Sequence, residues 1–125
     1  MDSGRCVQAL VALRCAIGAG AWLAPRRSGR AFGLDPGANP QAPYLVRLFA
    51  VRDAALGYGL GTSDEGRRVW WLRIGIACDF ADAVAGVLAG RRGELGGPAT
   101  VLVSTAALGA VALGVTALRS EQSVA

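Results

Sequence analysis

The stretch PATVLVSTAALGAVALGVTAL occupies residues 98–118 and decides the class of fold that this chain forms. It contains no charged residue, and Arg119 follows directly after it. An α-helix of about 20 mostly apolar residues crosses the roughly 30 Å of hydrocarbon in a bilayer. A surface helix of a soluble domain carries a continuous polar face, and Ser104, Thr105 and Thr116 are too few to form one. We therefore predict a membrane-spanning helix here.

Three similar runs precede this helix, at residues 6–24, 43–61 and 69–89. The connections 62–68 and 90–97 are short, and short connections make sequential helices antiparallel neighbours. The longer connection, residues 25–42, is rich in Pro, Gly and Arg, which predicts a surface loop. The predicted fold is all-α: an integral-membrane up-down-up-down four-helix bundle. Residues 1–125 form one domain, which we place in the cell membrane as a multi-pass protein.

Composition limits the functions open to the chain. It has 125 residues, 53% of them hydrophobic, and a mean hydropathy of +0.40, which excludes a disordered chain and a multidomain enzyme. It has no His, and its three cysteines form no CxxC motif, so we expect no metal and no cofactor. The net charge of +4 comes from arginines paired at the edges of apolar runs. That pattern indicates a lipid bilayer as partner and no nucleic acid.

Aromatic residues support the same topology, because they fall at two levels. Trp22 and Tyr44 flank the first connection, whereas Tyr58, Trp70 and Trp71 flank the second. Trp and Tyr are enriched at both membrane–water interfaces. A soluble four-helix bundle is the competing hypothesis, because three of the four runs carry charged residues.

Those charges form the most informative pattern in the sequence. Taking the midpoint of each predicted helix, Arg14, Arg52, Asp53 and Asp79 share one central level. Arg47 and Asp82 form a second layer, displaced toward the side of the first and third connections. A central Arg or Asp costs roughly 2.5 to 3.5 kcal/mol on insertion, so these groups must point inward and pair.

Asp79 and Asp82 are spaced i,i+3, which places both carboxylates on one face of a helix together with Gly75, Gly86 and Gly90. Like charges one turn apart in a low dielectric resist ionising together. One of the two is therefore able to hold a proton and act as an acid. The predicted catalytic residues are Asp79, Asp82 and Asp53, and the predicted substrate-binding residues are Arg47, Arg52 and Arg14.

The segment RLFAVRDAALGYGL at residues 47–60, followed by CDFAD at residues 78–82, resembles a group of small bacterial four-helix integral-membrane proteins of unknown function. In that group a helix with an R-x-F-x-x-R-D signature precedes a helix with a D-x-x-D pair. The resemblance covers nearly the whole chain. It implies the four-helix bundle and singles out Arg47, Arg52, Asp53, Asp79 and Asp82, but it implies no reaction.

Three functions remain open from the sequence. The first is binding of an apolar small molecule at the Arg/Asp site and its processing by acid–base chemistry, through isomerisation, cyclisation or epoxide opening. The second is a non-catalytic accessory or lipid-binding subunit whose ion pairs are structural, acting as a homo-oligomer or with a membrane partner protein. The third is a small transporter, although small multidrug transporters keep an acid in the first helix, where this sequence has Arg14.

Overall fold

The computed structural model describes residues 3–124, and across that range it is all-helical, with no strand. This confirms the predicted all-α class. The helices, in chain order, are α1 Ser3–Leu23, α2 Pro25–Ala31, α3 Ala42–Thr62, α4 Glu65–Arg91 and α5 Gly97–Val124.

Four of these helices, α1, α3, α4 and α5, contain the four predicted apolar runs. The bounds of α1 and α3 lie within three residues of the predicted ones. α4 begins four residues earlier than predicted, at Glu65, and α5 continues six residues beyond residue 118. The early start of α4 has a local cause, because the Asp64 carboxylate accepts a hydrogen bond from the Arg67 backbone N–H and caps the helix.

The prediction that residues 25–42 form only a loop is wrong, because its first part is the short helix α2. Pro25 occupies the first helical turn, where a missing N–H costs no hydrogen bond. Gly29 is buried, and a Cβ there would lie 3.4 Å from Val46 Cγ2, so the glycine lets α2 pack closely on α3. The chain then turns at Gly33, whose φ of +82° favours glycine.

The four long helices form a ring in which sequence neighbours run antiparallel. α1 packs mainly on α3, and α4 mainly on α5. Less extensive contacts of α1 with α5 and of α3 with α4 close the ring, which places α1 and α4 diagonally opposite. The pairing of α4 with α5 is fixed at both ends, since Arg68 forms an ion pair with Glu121 and Gly90 lies against Thr100.

Two apolar clusters occupy opposite ends of this ring. One contains Cys6, Leu10, Leu60, Leu72 and Ala117, and the other contains Ala21, Val46 and Ala50. Buried charged residues lie between the two clusters.

Two helical segments are long and apolar enough to cross a membrane, Gly4–Leu23 in α1 and Gly97–Ser123 in α5. Fewer than a third of the residues in either apolar window are buried, at 28% and 17%. The more highly charged helices α3 and α4 do not belong to this group.

Candidate functional site

Arg14 lies at the centre of the buried charges. It is in the middle of α1 and only 5% exposed. Its Nη1 donates to Asp53 Oδ1 on α3 at 3.0 Å, and its Nη2 donates to Asp79 Oδ2 on α4 at 2.7 Å. Both bonds are charge-assisted, which makes them stronger than bonds between neutral groups. One guanidinium therefore ties together three helices, including the diagonal pair α1 and α4.

Two glycines make room for this arginine. A Cβ at Gly75 on α4 would lie 2.9 Å from Arg14 Nη2, and a Cβ at Gly57 on α3 would lie 3.1 Å from Arg14 Cβ. Helix packing at Gly57 brings α3 close enough for Asp53 to reach the guanidinium. Gly75 lies on the face of α4 that carries Asp79, as the sequence predicted.

A second ion pair joins Arg52 on α3 to Asp82 on α4. It is bidentate, with Nη1 to Oδ1 at 2.8 Å and Nη2 to Oδ2 at 2.6 Å, and both side chains are about one-third exposed. Arg52 Nη2 also lies 3.8 Å from Asp53 Oδ1, and its guanidinium stacks over the Phe49 ring at 4.5 Å. The two ion pairs thus form one connected network.

The structure does not divide the charges into the two predicted layers, because Arg47 lies outside the network. Its Nε donates to the Trp22 backbone carbonyl at 3.4 Å, and its guanidinium lies 5.9 Å from the Trp22 ring centroid. Asp82 pairs instead with Arg52, whose long side chain reaches across the gap between α3 and α4. The connected network thus consists of Arg14, Arg52, Asp53, Asp79 and Asp82, and Arg47 is not one of its members.

A cavity of about 740 Å³ adjoins this network. That volume falls within the roughly 300 to 1,000 Å³ of typical small-molecule sites. Most of its wall is apolar, and the charged part is formed by Arg14, Asp53, Asp79 and Asp82. The apolar wall comes from α1, α3, α5 and the segment after α2, and it includes Ile17, Phe32, Leu34, Val46, Val103 and Ala110.

Two carboxylate oxygens at the cavity remain without a partner. Among the residues that the structure describes, no group donates a hydrogen bond to Asp53 Oδ2 or Asp79 Oδ1, whereas Asp82 uses both of its oxygens on Arg52. Asp53 and Asp79 are only 4% and 5% exposed, and both line the cavity. Each of these two lining side chains therefore keeps one oxygen that is able to accept a further hydrogen bond.

The cavity opens through the side of the bundle. Leu13 on α1 and Ala106 and Gly109 on α5 line it and are also exposed on the outer surface. At the opposite end of the ring α1 and α5 are joined, because Cys6, Leu10 and Ala117 belong to one apolar cluster. We infer that the opening lies between α1 and α5, on the side of the ring that α2 caps.

Sequence reasoning missed two residues of this site, Phe32 and Leu34. Both lie in the segment predicted as a surface loop, and both line the cavity. The sequence did contain a signal for them, because two large apolar side chains are unusual in a surface connection rich in Arg, Pro and Gly and indicate a buried contact. In the part of the chain that the structure describes, no group of three His, Cys, Asp or Glu side chains is placed to hold a metal ion.

Comparisons with protein-family models, curated proteins and solved structures found no match.

Proposed function

We propose that this is a multi-pass membrane protein, with α1, α3, α4 and α5 crossing the bilayer as a four-helix bundle. The distribution of polarity supports this proposal, because three charged residues at the middle of the helices lie inside the bundle while many large apolar side chains are exposed. Arg14, Asp53 and Asp79 are buried. Large apolar side chains are exposed on all four long helices, among them Leu13, Leu48, Val51, Ile74, Phe80, Val84, Val101 and Leu108. So many exposed large apolar side chains are typical of a surface that contacts a membrane or a partner.

The charges on α3 and α4 are compatible with that placement. Arg52, Asp53, Asp79 and Asp82 are ion-paired within the bundle, which lowers the cost of holding them at membrane depth. Arg47 and Arg73 lie near the ends of the predicted spans, where long side chains extend toward the headgroups.

Aromatic side chains mark the expected positions of the two bilayer surfaces. Trp22 and Tyr44 are exposed at the end of the bundle that carries α2, and Tyr58 and Trp70 are exposed at the other end. Amphipathic rings at these two levels are typical of the interfacial belts of membrane proteins.

Within this bundle, we propose that the cavity binds an apolar small molecule that carries one polar group. The observation that carries this proposal is the apolar cavity of about 740 Å³ with two unpartnered carboxylate oxygens at its wall. Apolar walls with a few placed polar groups are the usual design of a small-molecule site. The side opening would admit such a molecule directly from the bilayer.

We further propose that the bound molecule is processed by acid–base chemistry, such as isomerisation, cyclisation or epoxide opening. Asp53 and Asp79 present free oxygens that would exchange a proton with the molecule. Asp82 is held through both oxygens and would act only by positioning Arg52. If Asp79→Asn abolishes turnover of an identified ligand but leaves the ligand bound, this chemistry is supported. Full turnover by the folded variant would remove Asp79 from the reaction.

The binding proposal is tested by blocking the cavity. Ala106→Phe places a large ring in the cavity, whereas the matched control Ala112→Phe places the same ring on an exposed part of α5 that does not line it. Each protein is purified in mild detergent, and its bound small molecules are measured by native mass spectrometry and extraction. We expect a stoichiometric apolar ligand in the wild type and the control, and none in Ala106→Phe. Equal recovery from all three proteins would contradict the proposal.

A second candidate function is a non-catalytic accessory subunit in which the ion pairs only hold the helices together. The observation that favours it is the bridging of Asp53 and Asp79 by Arg14, an arrangement that fixes helix register. It would act as a homo-oligomer or with another membrane protein. It predicts an empty cavity in the purified wild-type protein.

A further inference from the structure

From the charges at the cavity we infer that the polar end of its ligand is a cation that donates hydrogen bonds, so that the ligand is a lipophilic amine. This inference rests on the proposed binding function and names the chemical class of the ligand.

The ion-pair network has three carboxylates and only two guanidiniums. Asp53, Asp79 and Asp82 face Arg14 and Arg52. No other helix corrects this imbalance, because α5 contributes no charged side chain between residues 98 and 118 and the described part of α2 points no arginine into the cavity. With all three carboxylates ionised, the site holds one negative charge in excess, which a bound monocation would neutralise.

Some of the polar atoms of the lining residues have no hydrogen-bond partner within the described chain. Arg14 is the one cation among the described lining residues, and both of its Nη atoms already donate to carboxylates. The carboxylate oxygens left without partners at the described lining residues are Asp53 Oδ2 and Asp79 Oδ1. Arg14 also keeps N–H groups for which no described residue provides an acceptor, so the preference for a cationic ligand rests on the excess of negative charge. An ionised carboxylate oxygen only accepts hydrogen bonds, so the complementary ligand group is a hydrogen-bond donor. An ammonium group both donates and neutralises the excess charge, whereas a hydroxyl group only donates. A ligand carboxylate would instead meet like charge.

The rest of the cavity wall is mostly apolar. The side chains opposite the charges are apolar, including Ile17, Phe32 and Val103. They fit a hydrocarbon or aromatic body attached to the amine. A small hydrophilic amine would leave most of this wall uncovered, so the inferred ligand is amphiphilic.

The test uses three probes that share one aromatic body and differ only in the polar group: 1-pyrenemethylamine, 1-pyrenemethanol and 1-pyrenecarboxylate. Each is titrated at neutral pH against the full-length protein in non-ionic detergent, with one-to-one binding followed by native mass spectrometry. We expect the amine to bind with a Kd at least tenfold lower than that of the alcohol, and the carboxylate to bind weakest. An alcohol or carboxylate that binds as tightly as the amine would overturn the inference and leave the cavity proposal standing.

Two variants connect the preference to the carboxylates. Asp79→Asn removes the excess charge and should abolish the tenfold preference for the amine. Asp64→Asn is the matched control, because it makes the same chemical change on an exposed residue that does not line the cavity, and it should keep the preference. If Asp79→Asn does not fold, the comparison of the three probes on the wild type still decides the question.

Ala106→Phe separates failure of the inference from failure of the proposed function. Amine binding that persists in Ala106→Phe occurs outside the cavity and overturns the inference. If none of the three probes binds the wild type, both the inference and the cavity proposal are wrong.

Discussion

Arg14 is the residue whose removal should affect the molecule most, because one side chain neutralises two buried carboxylates. Removing one partner of a buried ion pair costs about 3 to 5 kcal/mol, since the remaining charge is left uncompensated. We expect Arg14→Met to lower the free energy of unfolding in detergent by about that amount. The combined variant Arg14→Met, Asp53→Asn, Asp79→Asn should recover much of the loss, and a combined variant less stable than Arg14→Met would contradict this account.

Gly75 offers a smaller test of the same site. Gly-to-Ala changes within helices usually stabilise by about 0.4 to 1 kcal/mol. At Gly75 the new Cβ would lie 2.9 Å from Arg14 Nη2, whose position is fixed by Asp79, so Gly75→Ala should destabilise instead. Gly20→Ala on α1 is the control, because its Cβ meets nothing within 4 Å. Thermal unfolding of the two variants should therefore shift in opposite directions, and a stabilised Gly75→Ala would show that the guanidinium is free to move.

At the scale of the helices, the start of α4 depends on one exposed capping residue. Asp64 accepts hydrogen bonds from the backbone N–H of Arg67 and from its guanidinium. The side-chain bond from Arg67 is the main cause that lowers the pKa of Asp64 below its ordinary value, and the backbone bond adds to it. Because the pKa is lower in the folded state, the ionised Asp64 carboxylate stabilises the fold fully at pH values above its pKa in the unfolded chain. This stabilisation is lost as the pH falls through its pKa in the folded protein.

We therefore expect Asp64→Ala to lower the melting temperature at neutral pH and to make progressively less difference as the pH falls from the ordinary pKa of Asp, about 3.9, through the lowered pKa of the folded state. Circular dichroism melts of both proteins at several pH values provide the measurement. Asp64→Asn keeps a good capping residue and should fall between the two. A deficit of Asp64→Ala that is the same at every pH would mean that the charge of Asp64 makes no contribution.

At the scale of the whole molecule, membrane insertion determines which exposed surfaces water reaches. Cys15 lies in the middle of α1 and is exposed, so a water-soluble maleimide would modify it readily in a soluble bundle. In a bilayer the same thiol would face lipid. We expect Cys15 to stay unmodified in proteoliposomes and to react after the membrane is dissolved in a denaturing detergent.

The labelling experiment uses a Cys6→Ala, Cys78→Ala background, which leaves Cys15 as its one thiol. A matched position is provided by Ala38→Cys with Cys15→Ala, because Ala38 is exposed between α2 and α3, outside the proposed spans. In permeabilised proteoliposomes the maleimide should modify the cysteine at position 38 in either orientation of the protein, because the reagent reaches both sides of the membrane. Equal labelling at both positions would favour the soluble bundle and contradict the proposed topology.

The all-helical class was predictable from the sequence, because the apolar runs are long and separated by turn-forming residues. α1, α3, α4 and α5 were located to within a few residues for the same reason. α2 was not, because Pro25 and Gly29 break helices in general but begin and pack one here. Whether a glycine weakens a helix or permits close packing depends on a neighbour, such as Val46, that local sequence does not identify.

The sequence by itself determined that charges lie at mid-helix and that they must pair, since unpaired charges among apolar residues cost too much free energy. Only the tertiary structure decided the partners. Helix spacing alone placed Arg47 and Asp82 at one level, but the packing of α3 against α4 and the reach of the Arg52 side chain brought Arg52 to Asp82. The cavity is likewise a tertiary feature, because it exists only where α1, α3 and α5 leave space beside Asp53 and Asp79.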